Sequence, residues 1–269
     1  MRVNRSTYYY WQTKKKSNHH IENEKLALMV KDIHQQTKGC YGTRRMSLEL
    51  TSLGKKCGRY RARTLMRMAD VCARQKRKYK VTTNSNHNRP VFPDLLNRQF
   101  TISGPDQVWV SDITYVWTTD GWLYLAVVID LYSRRVVGWS MNNRIDRHLV
   151  IDALRMAIRR RLPDAGLVFH SDRGSQYCSE DFCKLLENHS ISGSMSRKGD
   201  CWDNAVAESC FGSLKTERRY GTQYQTRTQT KQEIVDYIVM FYNNRRRHSF
   251  LGYISPAEFE NQRNLWIAA

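Results

Sequence analysis

The chain has 269 residues, with 44 Lys+Arg against 25 Asp+Glu and a net charge of +19, which points to a polyanionic partner. No apolar run of 18 residues, amphipathic anchor or signal-peptide core is present, which argues against a membrane. Seven cysteines without a C-x-x-C pair fit reduced thiols in a cytoplasmic protein better than a disulfide framework or a zinc site.

The charge is uneven. Residues 1–104 carry 23 Lys+Arg and 6 Asp+Glu, a net of +17, whereas residues 105–269 carry 21 and 19, a net of +2. A basic arm joined to a nearly neutral body follows, although a merely solubilising or ribosomal surface shares that composition. The opening MRVNRSTYYYWQTKKK has no hydrophobic period and reads as a tail that orders only against a partner. Leu26, Met29, Val30 and Ile33 then predict a helix ending near Gly39. Thr43 is a candidate cap for a second helix with Met46, Leu50 and Leu53 inward, stopped by Gly54.

A third helix is predicted over Arg59–Arg74. It sets Leu65, Met68 and Cys72 on one face and Arg59, Arg63, Arg67 and Arg74 on or near the other. Three short helices ending in an arginine-rich one resemble a helix-turn-helix module. An ordinary bundle with a solvated basic face is the alternative, and the following KRKYK favours DNA contact. The expected division is a basic DNA-binding domain over 1–85, a linker over 86–104 and a catalytic core with C-terminal helices over 105–262.

In the body, Val108–Trp117, Leu123–Leu131 and Arg135–Met141 predict an antiparallel meander. His148–Arg161 predicts a helix, Leu167–Ser171 a buried strand, Ser179–His189 a second helix and Ile191–Ser196 a weaker strand. Asp203 is placed to cap a helix running to Arg219, Thr230-x-x-Glu233 to form a capping box, and Ser255-Pro256 to open a last helix. This order is that of an α/β, ribonuclease-H-like fold with a mixed five-stranded sheet. In that fold the first and fourth strands are neighbours, and the helix after the fifth crosses their ends.

Three acids draw attention: Asp112 in VWVSDITYV, Asp172 in LVFHSDRGSQY and Glu208 in DNAVAESCFGSLKTE, the last two separated by 35 residues. A carboxylate inside an apolar β-branched run costs several kcal/mol unless something compensates it. Two divalent ions, each held by carboxylates and substrate phosphates, would compensate it and would promote in-line displacement at phosphorus. Asp112, innermost in the sheet, is the candidate to bridge both ions. Two of the acids also have ordinary readings, Asp172 as a turn cap and Glu208 as an exposed helix residue paired to a neighbour; Asp112 inside VWVSDITYV has none. Asp130 in VVIDLYS competes with Asp112 and fits a turn anchor at Ser133–Arg134.

Lys215 lies two helical turns beyond Glu208 on the same face, about 10 Å along, placed to hold a DNA backbone. Asn204, one turn before Glu208, shares that face. His170 reads equally as a partner of Asp172 or as a packed core histidine. Trp109, Trp117, Trp122 and Trp139 read as core. Asn243–His248 reads as a cluster that either contacts phosphate or satisfies a helix C-terminus.

Together, WVSDITYV, LYLAVVIDLYSRRVVGWSM, HSDRGSQY, SRKGDCWDNAVAESCFGSLKTE and YNNRRRHSFLGYISPAEFE resemble the DDE transposases of bacterial insertion sequences, whose core is like that of retroviral integrases. The likeness is to the frameshifting, copy-out–paste-in family, and the chain is similar to its second-reading-frame product. The resemblance implies Asp112, Asp172 and Glu208 as catalytic triad, Lys215 as the basic residue seven positions on, and Mg²⁺ as cofactor with Mn²⁺ as substitute. It further implies nicking at an element's 3′ end, then attack by the freed 3′-hydroxyl on another phosphodiester. Implied partners are DNA (element ends and target), further copies of the chain on that DNA, and a helix-turn-helix protein from an upstream frame, separate or fused. Nothing here supplies the His/His/Cys/Cys zinc module of retroviral integrases, and residues 1–104 show no heptad series. The rival readings are a non-catalytic DNA-binding regulator or domesticated remnant, and a junction resolvase.

Overall fold

In the computed structural model, residues 4–13, 16–74, 91–96, 101–196, 205–218 and 226–267 are described. KRKYK, Asn204, Cys201, Asp203 and most of the expected linker lie outside them. The chain divides into two units, Met1–Gln75 and Lys76–Ala269.

The first unit is helical: α1 (Arg5–Thr13), α2 (Asn18–Gln36), α3 (Thr43–Ser52) and α4 (Arg59–Met68). Helix α4 packs on both α2 and α3; Ala62, Leu65 and Met66 are buried on it, and Val30, Met46 and Leu50 on its partners. Helices α2, α3 and α4 share one stop device. A left-handed residue follows the C-cap (Lys38, Gly54, Asp70), and the next amide reaches back to His34, Leu50 or Met66.

Four expectations change here. The N-terminal segment forms a helix whose tyrosines and tryptophan are exposed. The cap of α3 is Gly42, with Thr43 as first helical residue and no side-chain cap bond. Helix α4 ends at Met68 because Asp70 (φ 53°) takes the role that glycine plays after α3. Met68 and Cys72 are therefore exposed, and the buried stripe is 62, 65, 66 and 69.

The second unit is built on a sheet of β1 (Val108–Thr118), β2 (Gly121–Asp130), β3 (Val136–Asn142), β4 (Val168–Ser171) and β5 (Ser192–Met195), in the order β3-β2-β1-β4-β5. The first three strands form the antiparallel meander, while β4 runs parallel to both β1 and β5. Helix α5 (Arg147–Arg161) covers β2 and β3, with α6 (Glu180–Asn188) beside it against β5. The contact of α5 with β3 is close: a Cβ on Gly138 would lie 2.3 Å from the Ala153 carbonyl oxygen. Phe92 lies over Gly193, and the Leu95 amide donates to Ser194 Oγ, so residues 92–95 dock along β5.

Helix α7 (Ala205–Arg218) packs on β1. After it come α8 (Arg227–Asp236), a π-helical stretch (Tyr237–Tyr242) and α9 (Pro256–Ile267). The capping box of α8 uses Thr226 and Gln229 in place of Thr230 and Glu233; Thr230 is buried inside the helix and bonds the Thr226 carbonyl. Trp109 and Trp139 are core, but Trp117 and Trp122 at the hairpin tip are 46% and 42% exposed. Among the described residues no helix is long and apolar enough to cross a membrane, and all six cysteines are free.

Candidate active site

The parallel register of β1 and β4 pairs Ser111 with Ser171. The next residue in sequence after each is an aspartate, Asp112 within β1 and Asp172 just past the end of β4, so the two leave neighbouring positions at about the 4.8 Å spacing of adjacent strands. Asp112 Oδ1 accepts the Ile113 amide at 2.7 Å. Asp172 Oδ1 accepts the Gly174 amide at 3.0 Å; a Cβ on Gly174 would sit 3.0 Å from that oxygen, so glycine keeps this turn tight.

Glu208, exposed in the first turn of α7, completes the group. Burial pushes the Asp112 carboxyl well above the usual carboxylate range, although part of its surface is open to solvent. The charges of Asp172 and Glu208 push the same way; the Ile113 amide and Lys215 oppose them. A buried carboxyl pressed by two further acids and offset by one lysine makes a site that gains from a cation.

Beneath the pair, the Tyr177 hydroxyl bonds Ser111 Oγ at 2.9 Å in full burial. Burial first, then Asp172 and Asp112, hold its phenol protonated. Sequence reasoning gives Tyr177 no functional role; its one signal is its place as the last residue of HSDRGSQY. Lys215 Nζ lies 4.9 Å from the Tyr115 ring centroid.

Thus Asp112, Asp172, Glu208 and Lys215 come together, while Asn204 lies outside the described residues. Arg59, Arg63 and Arg67 are exposed on α4 of the other unit. Arg74 lies beyond that helix, its amide bonded to the Gly39 carbonyl. A fourth arginine of α4, Arg61, is structural: it donates to Asn23 and pairs with Glu22.

Asp130 is not a competitor. Buried at the end of β2, it accepts the amides of Asp106 and Tyr132 and so anchors the turn. His170 is a core residue bonded to Ser194 Oγ, joining β4 to β5. The Asn243–His248 cluster in part satisfies a helix end, as expected: the Asn244 side-chain amide donates to the Val239 carbonyl of the π-helical stretch at 2.6 Å. Asn243 clamps both backbone groups of Val136, and buried Arg246 pairs with Glu217 and Ser213 of α7. Tyr237 adds a bond to Glu217 at 2.7 Å.

Among the described residues no three His, Cys, Asp or Glu side chains converge closely enough to hold one ion. The donor chemistry nevertheless fits hard cations. Such ions take oxygen ligands and complete their shells with water and phosphate, so they need few ligands from the protein.

Comparison with known proteins agrees with this architecture. Integrase core domain families match residues 103–201 and 208–263, and an HTH-like domain family matches 20–79. The chain is 46% identical over 260 residues to the insertion element IS600 uncharacterized 31 kDa protein of Shigella sonnei, covering 97% of this chain and 96% of the relative. It is 40% identical over 269 residues to transposase InsF for insertion sequence IS3A of Escherichia coli (strain K12), covering 97% and 92%. In structure it is similar to a chain of the simian T-cell lymphotropic virus intasome in complex with PP2A regulatory subunit B56 gamma. That likeness has a TM-score of 0.50 at 15% identity, over 86% of this chain and 74% of that one, and it concerns the fold. The fold is thus ribonuclease-H-like behind a helix-turn-helix-like domain, and the chain belongs to the bacterial insertion-sequence transposases that carry an integrase core domain.

Proposed function

We propose that the chain cleaves DNA at the ends of an insertion sequence and transfers the strand to a new phosphodiester. In this reading Asp112, Asp172 and Glu208 hold two Mg²⁺ ions, with Mn²⁺ as substitute. The observation that carries the reading is the register of β1 and β4, which sets Asp112 beside Asp172 with Glu208 in electrostatic reach. Bound there, the ions supply neutralisation of the scissile phosphate and acidification of the attacking hydroxyl.

The protein supplies position. Asp112, whose Oδ1 accepts the Ile113 amide, would hold the ions together with Asp172 and Glu208. Tyr177 holds Ser111, the residue before Asp112, so the first carboxylate enters the site from a fixed backbone. Lys215 gives a phosphate next to the cut a cationic partner. In the N-terminal domain, Arg59, Arg63 and Arg67, with Arg74 beyond the helix, contact duplex phosphates. The proposed partners are element ends, target DNA, further copies of the chain on that DNA, and an upstream-frame helix-turn-helix protein, separate or fused. The domain bounds 1–85, 86–104 and 105–262, and a cytoplasmic site of action, belong to the same proposal.

A second reading, a DNA-binding regulator without catalysis, draws on the absence of three converging ligands among the described residues. The two separate in one assay. Fragments carrying the ends of the element that encodes this chain are incubated with Mg²⁺, and cleavage and binding are scored together. Catalysis predicts that Asp112→Asn, Asp172→Asn and Glu208→Gln each abolish cleavage and leave binding largely intact. Binding without cleavage by the unaltered chain would favour the regulator.

A further inference from the structure

We propose that the tip of the β1–β2 hairpin is a stacking site for unpaired bases of the DNA strand that enters the acidic site. Trp117 and Trp122 pair directly across the hairpin, ring centroids 4.7 Å apart and planes at 76°. Trp122 also meets the Tyr115 ring at 5.0 Å, and Tyr115 meets Tyr124 at 6.4 Å. These rings form one continuous strip. Its outer two are 46% and 42% exposed, whereas Val116, Leu123 and Leu125 of the same hairpin are buried.

The strip runs toward the acids. Lys215 Nζ stands 4.9 Å from the Tyr115 ring, and its charge reaches Asp112. At the other end Arg227 Nε donates to the Trp122 carbonyl. One acid, Asp120, lies at the tip, and its Oδ2 accepts the Arg227 amide at 2.8 Å. Aromatic faces bounded by two cations and leading to a phosphate-handling site match a single strand, which offers base faces and backbone charge together. A duplex does not match, because its base faces are covered. A nucleotide at a duplex end has one stacking neighbour, so it is the one most easily transferred to a tryptophan.

The inference rests on the catalytic reading for the path of the strand, so its test avoids catalysis. Full-length Asp112→Asn protein is titrated in EDTA with dye-labelled oligothymidylate and, separately, with blunt duplex. Trp117→Ala together with Trp122→Ala is expected to weaken oligothymidylate binding by about tenfold or more and to leave duplex binding unchanged. Replacing both tryptophans with phenylalanine should restore most of the loss. An equal loss on both probes, or none on oligothymidylate, overturns the proposal. So does a change confined to self-association, which would make the strip an interface between copies. Tryptophan-dependent strand binding in a chain that never cleaves would sink the catalytic reading and leave this one standing. Normal cleavage with tryptophan-independent binding would do the reverse.

Discussion

Arg246 Nε donates to both carboxylate oxygens of Glu217 at 3.0 Å, joining α7 to the segment that follows the π-helical stretch. Both side chains are 7% exposed, and the Ser213 and Tyr237 hydroxyls complete the network. Helix α7 also carries Glu208 and Lys215, so this pair fixes the helix on which half of the candidate site stands.

Removing one partner of a buried ion pair leaves the other uncompensated, which costs about 3–5 kcal/mol. Arg246→Met is expected to lower unfolding stability by that amount. Arg246→Met combined with Glu217→Met should recover most of it. Denaturant unfolding of the two variants checks this; equal stabilities would show the pair to be unimportant.

Gly138 sits where β3 meets α5. A methyl there would lie 2.3 Å from the Ala153 carbonyl and 2.8 Å from the Ala157 Cβ. Gly138→Ala should therefore destabilise the core domain by about 1–3 kcal/mol, the usual cost of overpacking. Gly166→Ala, with nothing within 4 Å of its Cβ but a φ of 96°, should cost less, and comparison of the two separates crowding from backbone strain.

The Asp130 carboxyl is raised to about 7, first by burial and then by the charge of Asp106. Arg161, 3.4 Å away, is engaged more closely by Asp106 at 2.8 Å and Glu260 at 3.1 Å. The unfolded chain releases the Asp130 proton near its ordinary value of about 4. Between these values the native state holds a proton that the unfolded state lacks. This contribution to stability is complete below about pH 4 and is lost as pH rises toward about 7. Asp130→Asn should flatten that slope. An unchanged slope across this window would place the titration elsewhere.

Arg59, Arg63 and Arg67 leave one exposed face of α4. If each neutralises a phosphate, replacing all three with alanine should lower the slope of log K against log salt by roughly 0.9 for every phosphate no longer neutralised. An unaltered slope would remove α4 from the DNA interface.

Much of this architecture is legible in the chain. Alternation and β-branched runs mark the strands, and the position of Asp112 and Asp172 follows once β1 and β4 are recognised as neighbours. Tertiary contacts hide the rest. Asp70 ends α4 in a left-handed conformation for which no glycine gives notice. Thr226 outcompetes Thr230 as a cap because the helix begins one turn earlier and buries Thr230. Trp117 and Trp122 obey strand spacing yet sit at the hairpin tip, so their exposure belongs to the end of the sheet. Arg246 looks like a phosphate ligand until the burial of Glu217, 29 residues earlier, gives it a partner.

Joint binding of divalent ions by Asp112, Asp172 and Glu208 can be read directly from where a redox-active ion sits. Fe²⁺ with ascorbate and peroxide, used in place of Mg²⁺, generates radicals that cut the backbone beside a bound ion, and the fragments report which residues surround it. Cuts are expected near Asp112, Asp172 and Glu208, suppressed by excess Mg²⁺ and lost in Asp112→Asn. Cuts that miss these segments, or that persist unchanged in Asp112→Asn, would contradict joint binding.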